Sequence, residues 1–452
     1  MISKLEIINW KQLATVNLEF HSNLTIIAGA NGSGKSTVLR AISRTIGWDY
    51  EEVAKFEERK DYEKNESISD YDYMDRYSSS VAFNKKVEAA LNEINAKKDM
   101  VDKNLNSEID DQGGNRVVGE IVIDNQSYDI YIPKVPDDAT YSIFIYKEVE
   151  VEENGDTYYS SNWPDARGVF ISSHRMPYIY SNIEYISSRV LEKEAYYNQY
   201  KEEFINRQVY RYNEPNSVTP FSVLKNSLVT YSLHQANNGP SVMDEFIDIL
   251  KAVLPVEFGF KGIEVRNGEI VLQTDHTDVL LDSISGGISS IIDIAWQIFM
   301  TNKESPFIVI DEIENHLHPS MQRRILPDLI KAFPKTQFIV STHSPFVINS
   351  VPDCNLYVLQ KNSTGKFDSI LLDLESHLTD AVDVLKDVLG VSVTLPIWRE
   401  QELDRIMEKY SGEYLNERIF LDLKSELEKI GMDNYLPETL RSLNLKKDDS
   451  HD

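Results

Sequence analysis

Cysteine is almost absent from this chain: 452 residues contain one, Cys354. A single thiol closes no disulfide within the chain and builds no cysteine-rich metal centre, so both are excluded. A reducing interior fits this usage. Long apolar runs are missing as well. No run of about 18 consecutive apolar residues occurs, which removes a membrane-spanning helix. The opening MISKLEIINW lacks the apolar segment of a secretion signal. A soluble, cytoplasmic protein without membrane contact is the expectation. Positive charge is scarce: 46 Lys and Arg stand against 73 Asp and Glu, a formal net charge of −27. That field repels phosphate backbones and disfavours broad nonspecific nucleic-acid binding. No internal repeat is evident, and no heptad pattern is long enough for an extended coiled coil. What the chain does have is 41% hydrophobic residues over a length that supports roughly two or three domains.

Residues 2–10 and 14–20 alternate apolar and polar, as paired strands do. Residues 23–28, NLTIIA, read as a buried strand entering a glycine-rich turn, and 35–47 as a helix ending at Gly47. Residues 49–112 turn rich in Asp, Glu, Lys, Ser and Tyr and read as an exposed insertion. Strands are predicted over 116–135, with a D-N turn, over 141–151, ending at ENGD, and over 169–173. Residues 184–212 read as a polar helix and 221–253 as further helix, followed by short strands over 257–281. Ile288, Ile291, Ile292, Ala295, Ile298 and Phe299 recur at helical spacing over 288–300. Strands are predicted at 307–310, 337–341, 356–360 and 369–373, and 376–445 is mainly helical. There Leu415, Ile419, Phe420, Leu423, Leu427 and Ile430 make one apolar stripe, suited to packing within the chain or to docking a partner.

Four segments carry chemistry. Gly29, Ala30, Asn31, Gly32, Ser33, Gly34, Lys35, Ser36 and Thr37 match the phosphate-loop pattern G-x-x-x-x-G-K-[ST] between a strand and a helix. Glycines let successive N–H groups point inward at phosphate oxygens, and the helix N-terminus adds a favourable dipole. Lys35 places a charge on the β- and γ-phosphates, Ser36 offers its hydroxyl to Mg²⁺, and Thr37 supports the helix start. Residues 307–312, FIVIDE, end a buried strand on two carboxylates. Asp311 suits the Mg²⁺ shell and Glu312 the positioning of an attacking water. Residues 341–346, STHSPF, place His343 at another strand end, where it can sense the γ-phosphate; standing alone, such a histidine is more often structural. Residues 284–287, ISGG, set Ser285, Gly286 and Gly287 at a helix start that suits either a phosphate or an ordinary cap.

In this order the segments resemble the ABC-type ATPase head shared by transporters, SMC proteins and related DNA-repair and phage-defence ATPases. The resemblance implies an α/β fold: a P-loop head with a mixed sheet and flanking helices, an inserted helical and β lid region, and a C-terminal helical region. It implies ATP and Mg²⁺, and a homodimer in which Ser285 of one copy closes the cradle of the other. The signature departs from L-S-G-G-Q, with Ile284 for Leu and Ile288 for Gln. Residues 314–319, ENHLHP, resemble the OLD-like and AAA-15/AAA-21-type branch, in which this stretch lies at the dimer seam. The seam is preferred over a metal site at His316 and His318, whose spacing is poor for one. His174 or Arg175, after the strand at 169–173, could replace the usual glutamine of these heads. The head would comprise residues 1–48, 116–180 and 257–375, with an acidic insertion at 49–115, a helical insertion at 181–256 and a docking region at 376–452.

Long SMC arms do not fit the roughly 275 residues between the cradle and Asp311. No D-x-D pair follows His343, so an intrinsic Toprim nuclease is not expected. Residues 388–398, VLGVSVTLPIW, are similar to the ATPase subunits of the Septu anti-phage system and retron-associated relatives. That similarity implies a regulatory ATPase, slow in turnover, that controls a separate HNH nuclease; nucleic acid would be reached only through the complex. A PARIS-type ATPase with a Toprim-like effector, an ATP-bound scaffold without turnover, and an SMC-like DNA-repair ATPase are the alternatives.

Overall fold

The computed structural model describes residues 1–48, 52–53, 115–134, 140–153, 156–175, 178, 180, 183, 190–210, 218–234, 241–301, 307–372, 397–410, 417–429 and 436. These fall into two compact units, one within residues 1–372 and one within 397–436. Most of the acidic insertion and of the 388–398 segment therefore lies outside the described residues.

The first unit begins with a hairpin of β1 (Ile2–Trp10) and β2 (Leu13–Glu19), with Ile7 opposite Val16. β3 (Leu24–Gly29) is buried at all six positions, as its unbroken apolar run requires of a strand covered on both faces. α1 (Lys35–Arg44) follows. It ends before the expected Gly47, because the N–H and hydroxyl of Thr45 both donate to Ile42 O and tighten the last turn. β4 (Glu52–Val53) is held near the first hairpin by an ion pair between Lys11 and the buried Glu52. β5 (Asn115–Ile123) and β6 (Gln126–Pro133) turn at Asp124 and Asn125, whose φ angles of 48° and 62° are those a two-residue hairpin loop needs. β7 (Thr140–Tyr141) pairs with β4, while β8 (Phe144–Glu153) and β9 (Asp156–Asn162) extend the antiparallel array.

β10 (Gly168–Ile171) opens the remainder of the first unit. Three helices follow: α2 (Lys193–Tyr210), α3 (Pro220–Leu233) and α4 (Val242–Val253). The last two open on capping boxes at Thr219 with Ser222 and at Ser241 with Asp244. β11 (Phe260–Arg266), β12 (Glu269–Thr274) and β13 (Val279–Leu280) form a small antiparallel sheet. α5 (Gly286–Thr301) is followed by β14 (Phe307–Ile310), α6 (Pro319–Gln322), α7 (Ile325–Ala332), β15 (Gln337–Thr342), α8 (Pro345–Ile348), β16 (Asn355–Lys361) and β17 (Phe367–Leu372).

Twelve strands form one mixed sheet in the order β10-β14-β15-β3-β16-β17-β2-β1-β5-β6-β8-β9. From β10 to β16 all neighbours are parallel, with Ile310 beside Val340, Thr342 beside Ala28 and Leu359 beside Gly29. Their C-terminal ends therefore share one edge, which is where open α/β sheets place ligands. This is the expected α/β head, a mixed sheet with flanking helices. α2, read from sequence as polar, in fact buries Tyr196, Tyr197, Tyr200 and Phe204.

One buried cation ties the helical insertion to the small sheet. Lys225 of α3 is fully buried, with Nζ 2.6 Å from Glu269 and 3.0 Å from Asp282, the latter just before the ISGG segment. Lys225→Ala would leave these carboxylates facing each other without it, and is expected to lower unfolding free energy by about 3–5 kcal/mol in urea titration. Lys225→Met, which keeps the volume, should fall by the same mechanism.

In the second unit α9 (Ile397–Tyr410) packs on α10 (Glu417–Lys429). Tyr410, Leu423 and Leu427 are buried there, with Ile406, Met407 and Ile419 against them. The predicted stripe thus packs within the chain at Ile419, Leu423 and Leu427. Phe420 departs from it and is 37% exposed, and Leu415 and Ile430 lie outside the described residues.

Candidate functional site

The phosphate loop joins β3 to α1. Gly34 caps the helix with φ 103°, and a Cβ there would meet Leu13 Cδ2 at 2.5 Å, so only glycine fits. Lys35 turns back over the loop, its Nζ donating to Gly29 O at 2.9 Å and Ala30 O at 3.0 Å. Burial lowers its pKa, while Glu312, Asp311 and Glu314 draw it back up. The lysine thus sits within the field of the carboxylates that follow β14. Ser36 and Thr37 are half-buried, and Gln12, from the turn of the first hairpin, donates to Thr37 Oγ1 at 3.1 Å. Ser33 Oγ is buried without a hydrogen-bond partner among the described residues. Asn31 and Gly32 are exposed at the loop's tip.

Asp311 and Glu312 leave the end of β14. The β14–β15 register puts Ser341 beside Asp311, and this one hydroxyl organises both acids. It donates to Asp311 Oδ1 at 2.5 Å and accepts from Glu312 N–H at 2.8 Å. Glu312 has φ 45°, a left-handed backbone that costs a non-glycine residue roughly 1–3 kcal/mol. Its carboxylate accepts from Asn315 Nδ2 at 2.8 Å, which fixes the direction in which it points. A hydroxyl at Ser36 and a carboxylate at Asp311 are hard oxygen donors of the kind Mg²⁺ takes, and the neighbouring phosphate loop supplies the anion partner; the residues present fit the ion.

His343 follows β15. Glu314, itself buried, accepts from Thr342 Oγ1 at 2.8 Å and from His343 N–H at 2.7 Å. The His343 ring stands 40% exposed, with Nδ1 3.2 Å from Glu314 Oε1. Glu314 thus orients the histidine while the ring faces solvent. The partner roles of Glu314, Ser341 and Asn315 are not apparent from sequence, although all three lie within residues 314–319 and 341–346.

Ser285 and Gly286 are exposed at the start of α5, and Ser285 O accepts from Ser289 N–H at 2.9 Å. A Cβ on Gly287 would lie 3.1 Å from His316 O, so the signature rests directly on the 314–319 segment. His316 has φ 69°, and His318 caps α6 by accepting from Ser320 N–H. Of the two candidates after β10, His174 is exposed, whereas Arg175 is buried beneath the Asp311–Asn315 turn and points away from solvent.

Asp293 of α5 is buried with Tyr200 Oη at 2.9 Å and Gln297 Nε2 at 3.0 Å. Burial raises its pKa to about 6 against the pull of Tyr200, Arg175 and Gln297. Between about pH 4 and 6 the folded state keeps a proton that the unfolded chain has lost. Stability attributable to this group therefore falls as pH rises through that window and is level above it. Asp293→Asn is expected to remove a slope worth about 2 kcal/mol, read as the difference between the two proteins' unfolding free energies at pH 4 and pH 6.5.

Residues 1–348 match the family model AAA_15, described as AAA ATPase domain. The chain is 33% identical over 132 residues to "Retron Ec83 probable ATPase" of Escherichia coli, covering 26% of this chain and 24% of that protein. It is 30% identical over 174 residues to "Septu protein PtuA" of Bacillus mycoides (strain KBAB4), covering 36% and 24%. The chain thus spans about a quarter of the length of these relatives. An SMC head domain from Thermotoga maritima aligns over 82% of this chain and 98% of that one, at 15% identity and TM-score 0.38. With about three quarters of its length matched and the phosphate loop, Asp311 and Glu312 gathered at one sheet edge, this chain belongs to the AAA ATPase domain family.

Proposed function

We propose that this chain is an ATP-hydrolysing regulatory subunit of an anti-phage defence complex, acting as a homodimer on a separate HNH nuclease. The observation that carries the reading is the convergence of Lys35, Asp311, Glu312 and His343 at the C-terminal ends of three adjacent parallel strands, β3, β14 and β15. The similarity to Septu and retron ATPases supports the defence assignment.

In this reading the loop from Gly29 to Thr37 holds the phosphates of ATP, and Lys35 places its ammonium between them and the carboxylates. Ser36 and Asp311 are the residues that would hold Mg²⁺, which would neutralise charge on the phosphate oxygens. Glu312, its carboxylate aimed by Asn315 and its backbone pinned by Ser341, orients the attacking water. His343, set by Glu314, contacts the γ-phosphate. Ser285 and the N–H groups of Gly286 and Gly287 close the site from the second copy, and loss of the γ-phosphate loosens that closure.

Two experiments divide the reading. Phosphate release by the purified chain with ATP and Mg²⁺ tests turnover; tight ATP retention without any release would favour a non-hydrolysing scaffold. The adjacent gene, co-expressed with this one, should yield an HNH protein that co-purifies and cuts DNA according to nucleotide state. The lack of any nuclease among the neighbouring genes would sink the defence-complex assignment.

A further inference from the structure

Arg175 has an arrangement that neither nucleotide binding nor ordinary core packing accounts for. It follows β10, is 8% exposed, and directs its guanidinium under the Asp311–Asn315 turn. Nη2 donates to Glu312 O at 3.1 Å and reaches Asp311 O at 3.5 Å, while Nη1 donates to Asn315 O at 3.0 Å. The same Nη1 donates to Ser290 Oγ at 2.9 Å, on the second turn of α5. Nε is buried with no hydrogen-bond partner among the described residues. A buried cation is here held by main-chain carbonyls and one hydroxyl. The nearby charge of Asp293, one helical turn beyond Ser290, supports the cation further.

One side chain thus grips both ends of the turn that presents the Glu312 carboxylate and, at the same time, the helix whose first residues follow Ser285. The two ends serve different ATP molecules if the chain works as a head-to-head dimer. Glu312 acts on the nucleotide in its own cradle. Ser285, a turn and a half before Ser290, faces the cradle of the second copy. Resting on that dimer reading, we propose that Arg175 is a positioning residue that couples the two sites. Closure of the α5 start on the partner's ATP is transmitted through Ser290 and Arg175 to the backbone of Glu312 and Asn315, and sets the aim of the Glu312 carboxylate. A rigid helix and a guanidinium bonded at both ends form the contiguous, discrete element that such coupling requires.

Binding and turnover respond differently to a break in this link. Ser290→Ala removes the α5 end of the link, together with the hydroxyl's own 3.5 Å contact to Asn315 O, and leaves the phosphate loop untouched. In the full-length protein it is expected to keep KM and AMP-PNP affinity near wild type. It should lower kcat by about tenfold and bring the Hill coefficient for ATP to 1, as loss of a typical coupling does. Arg175→Lys keeps the charge but not the fork of donors, and should lower kcat further. Amide hydrogen exchange with AMP-PNP and Mg²⁺ gives a second readout that needs no turnover. In wild type, residues 311–317 and the start of α5 should gain protection together. In Ser290→Ala, only the start of α5 should. A Ser290→Ala protein with kcat within twofold of wild type and joint protection of both segments overturns the link while leaving the ATPase reading intact. Failure of wild type itself to bind AMP-PNP overturns both, as does hydrolysis undiminished in a parallel Glu312→Gln protein.

Discussion

Lys35→Ala is expected to weaken ATP binding by at least about 100-fold in calorimetry with Mg²⁺ and to remove hydrolysis, a loss consistent with deleting a charge-assisted contact to phosphate. Two effects add. The ammonium is the charge proposed to meet the phosphates, and it also holds the carbonyls of Gly29 and Ala30 that shape the loop. Without it, Glu312, Asp311 and Glu314 would present uncompensated negative charge to an anionic ligand. Lys35→Arg should rescue little. A planar guanidinium cannot take the compact position of a buried ammonium that lies 2.9 and 3.0 Å from two carbonyls. An ATP Kd within threefold of wild type for Lys35→Ala would show that Lys35 does not hold the phosphates of ATP.

Glu312→Gln should behave in the opposite way: kcat falls by about 1,000-fold while ATP affinity holds, because the group proposed to orient the attacking water is lost and no binding group is. The structure favours a clean effect. Glu312 N–H and C=O are held by Ser341 and Arg175, contacts the substitution does not touch. The amide keeps an oxygen for Asn315 Nδ2. Bound ATP should persist in the variant for as long as the nucleotide takes to dissociate, measured by retention of radiolabelled ATP on gel filtration. Turnover within threefold of wild type would remove Glu312 from the chemistry.

The chemistry-bearing residues were legible where their roles are set by neighbours along the chain. The spacing from Gly29 to Thr37 dictates a loop and a helix start, and FIVIDE dictates a buried strand with acids at its end. The D-N turn at Asp124 and Asn125 was legible for the same reason, since both residues tolerate positive φ. What stayed hidden depends on strand register. Ser341 organises Asp311 and Glu312 only because Ile310 lies beside Val340, a relation across 30 residues that no local pattern encodes. The position of Arg175 after a strand is visible in sequence, but its inward direction follows from the carbonyls of a turn 137 residues away. α2 read as polar because tyrosines count weakly in apolar periodicity; in the fold Tyr200 uses its hydroxyl on Asp293 and buries its ring against Trp296. The end of α1 was overshot because the Thr45 hydroxyl, bonding to Ile42 O, stops the helix before Gly47 is reached.

The central claim is that each ATP site takes its cradle from one copy and its Ser285 from another, and mixing two dead variants tests it most directly. Lys35→Ala lacks a working cradle, and Ser285→Arg lacks a working signature. In a two-fold dimer, a mixed pair holds one intact site, built from the cradle of the Ser285→Arg copy and the signature of the Lys35→Ala copy. Each variant alone is expected to be inactive, and the equimolar mixture, after exchange of subunits, to recover about a quarter of wild-type phosphate release if the two sites act independently and about a tenth of that if Arg175 couples them. A mixture no more active than its two components, beside an active wild type and with mixed pairs demonstrated, would contradict the central claim.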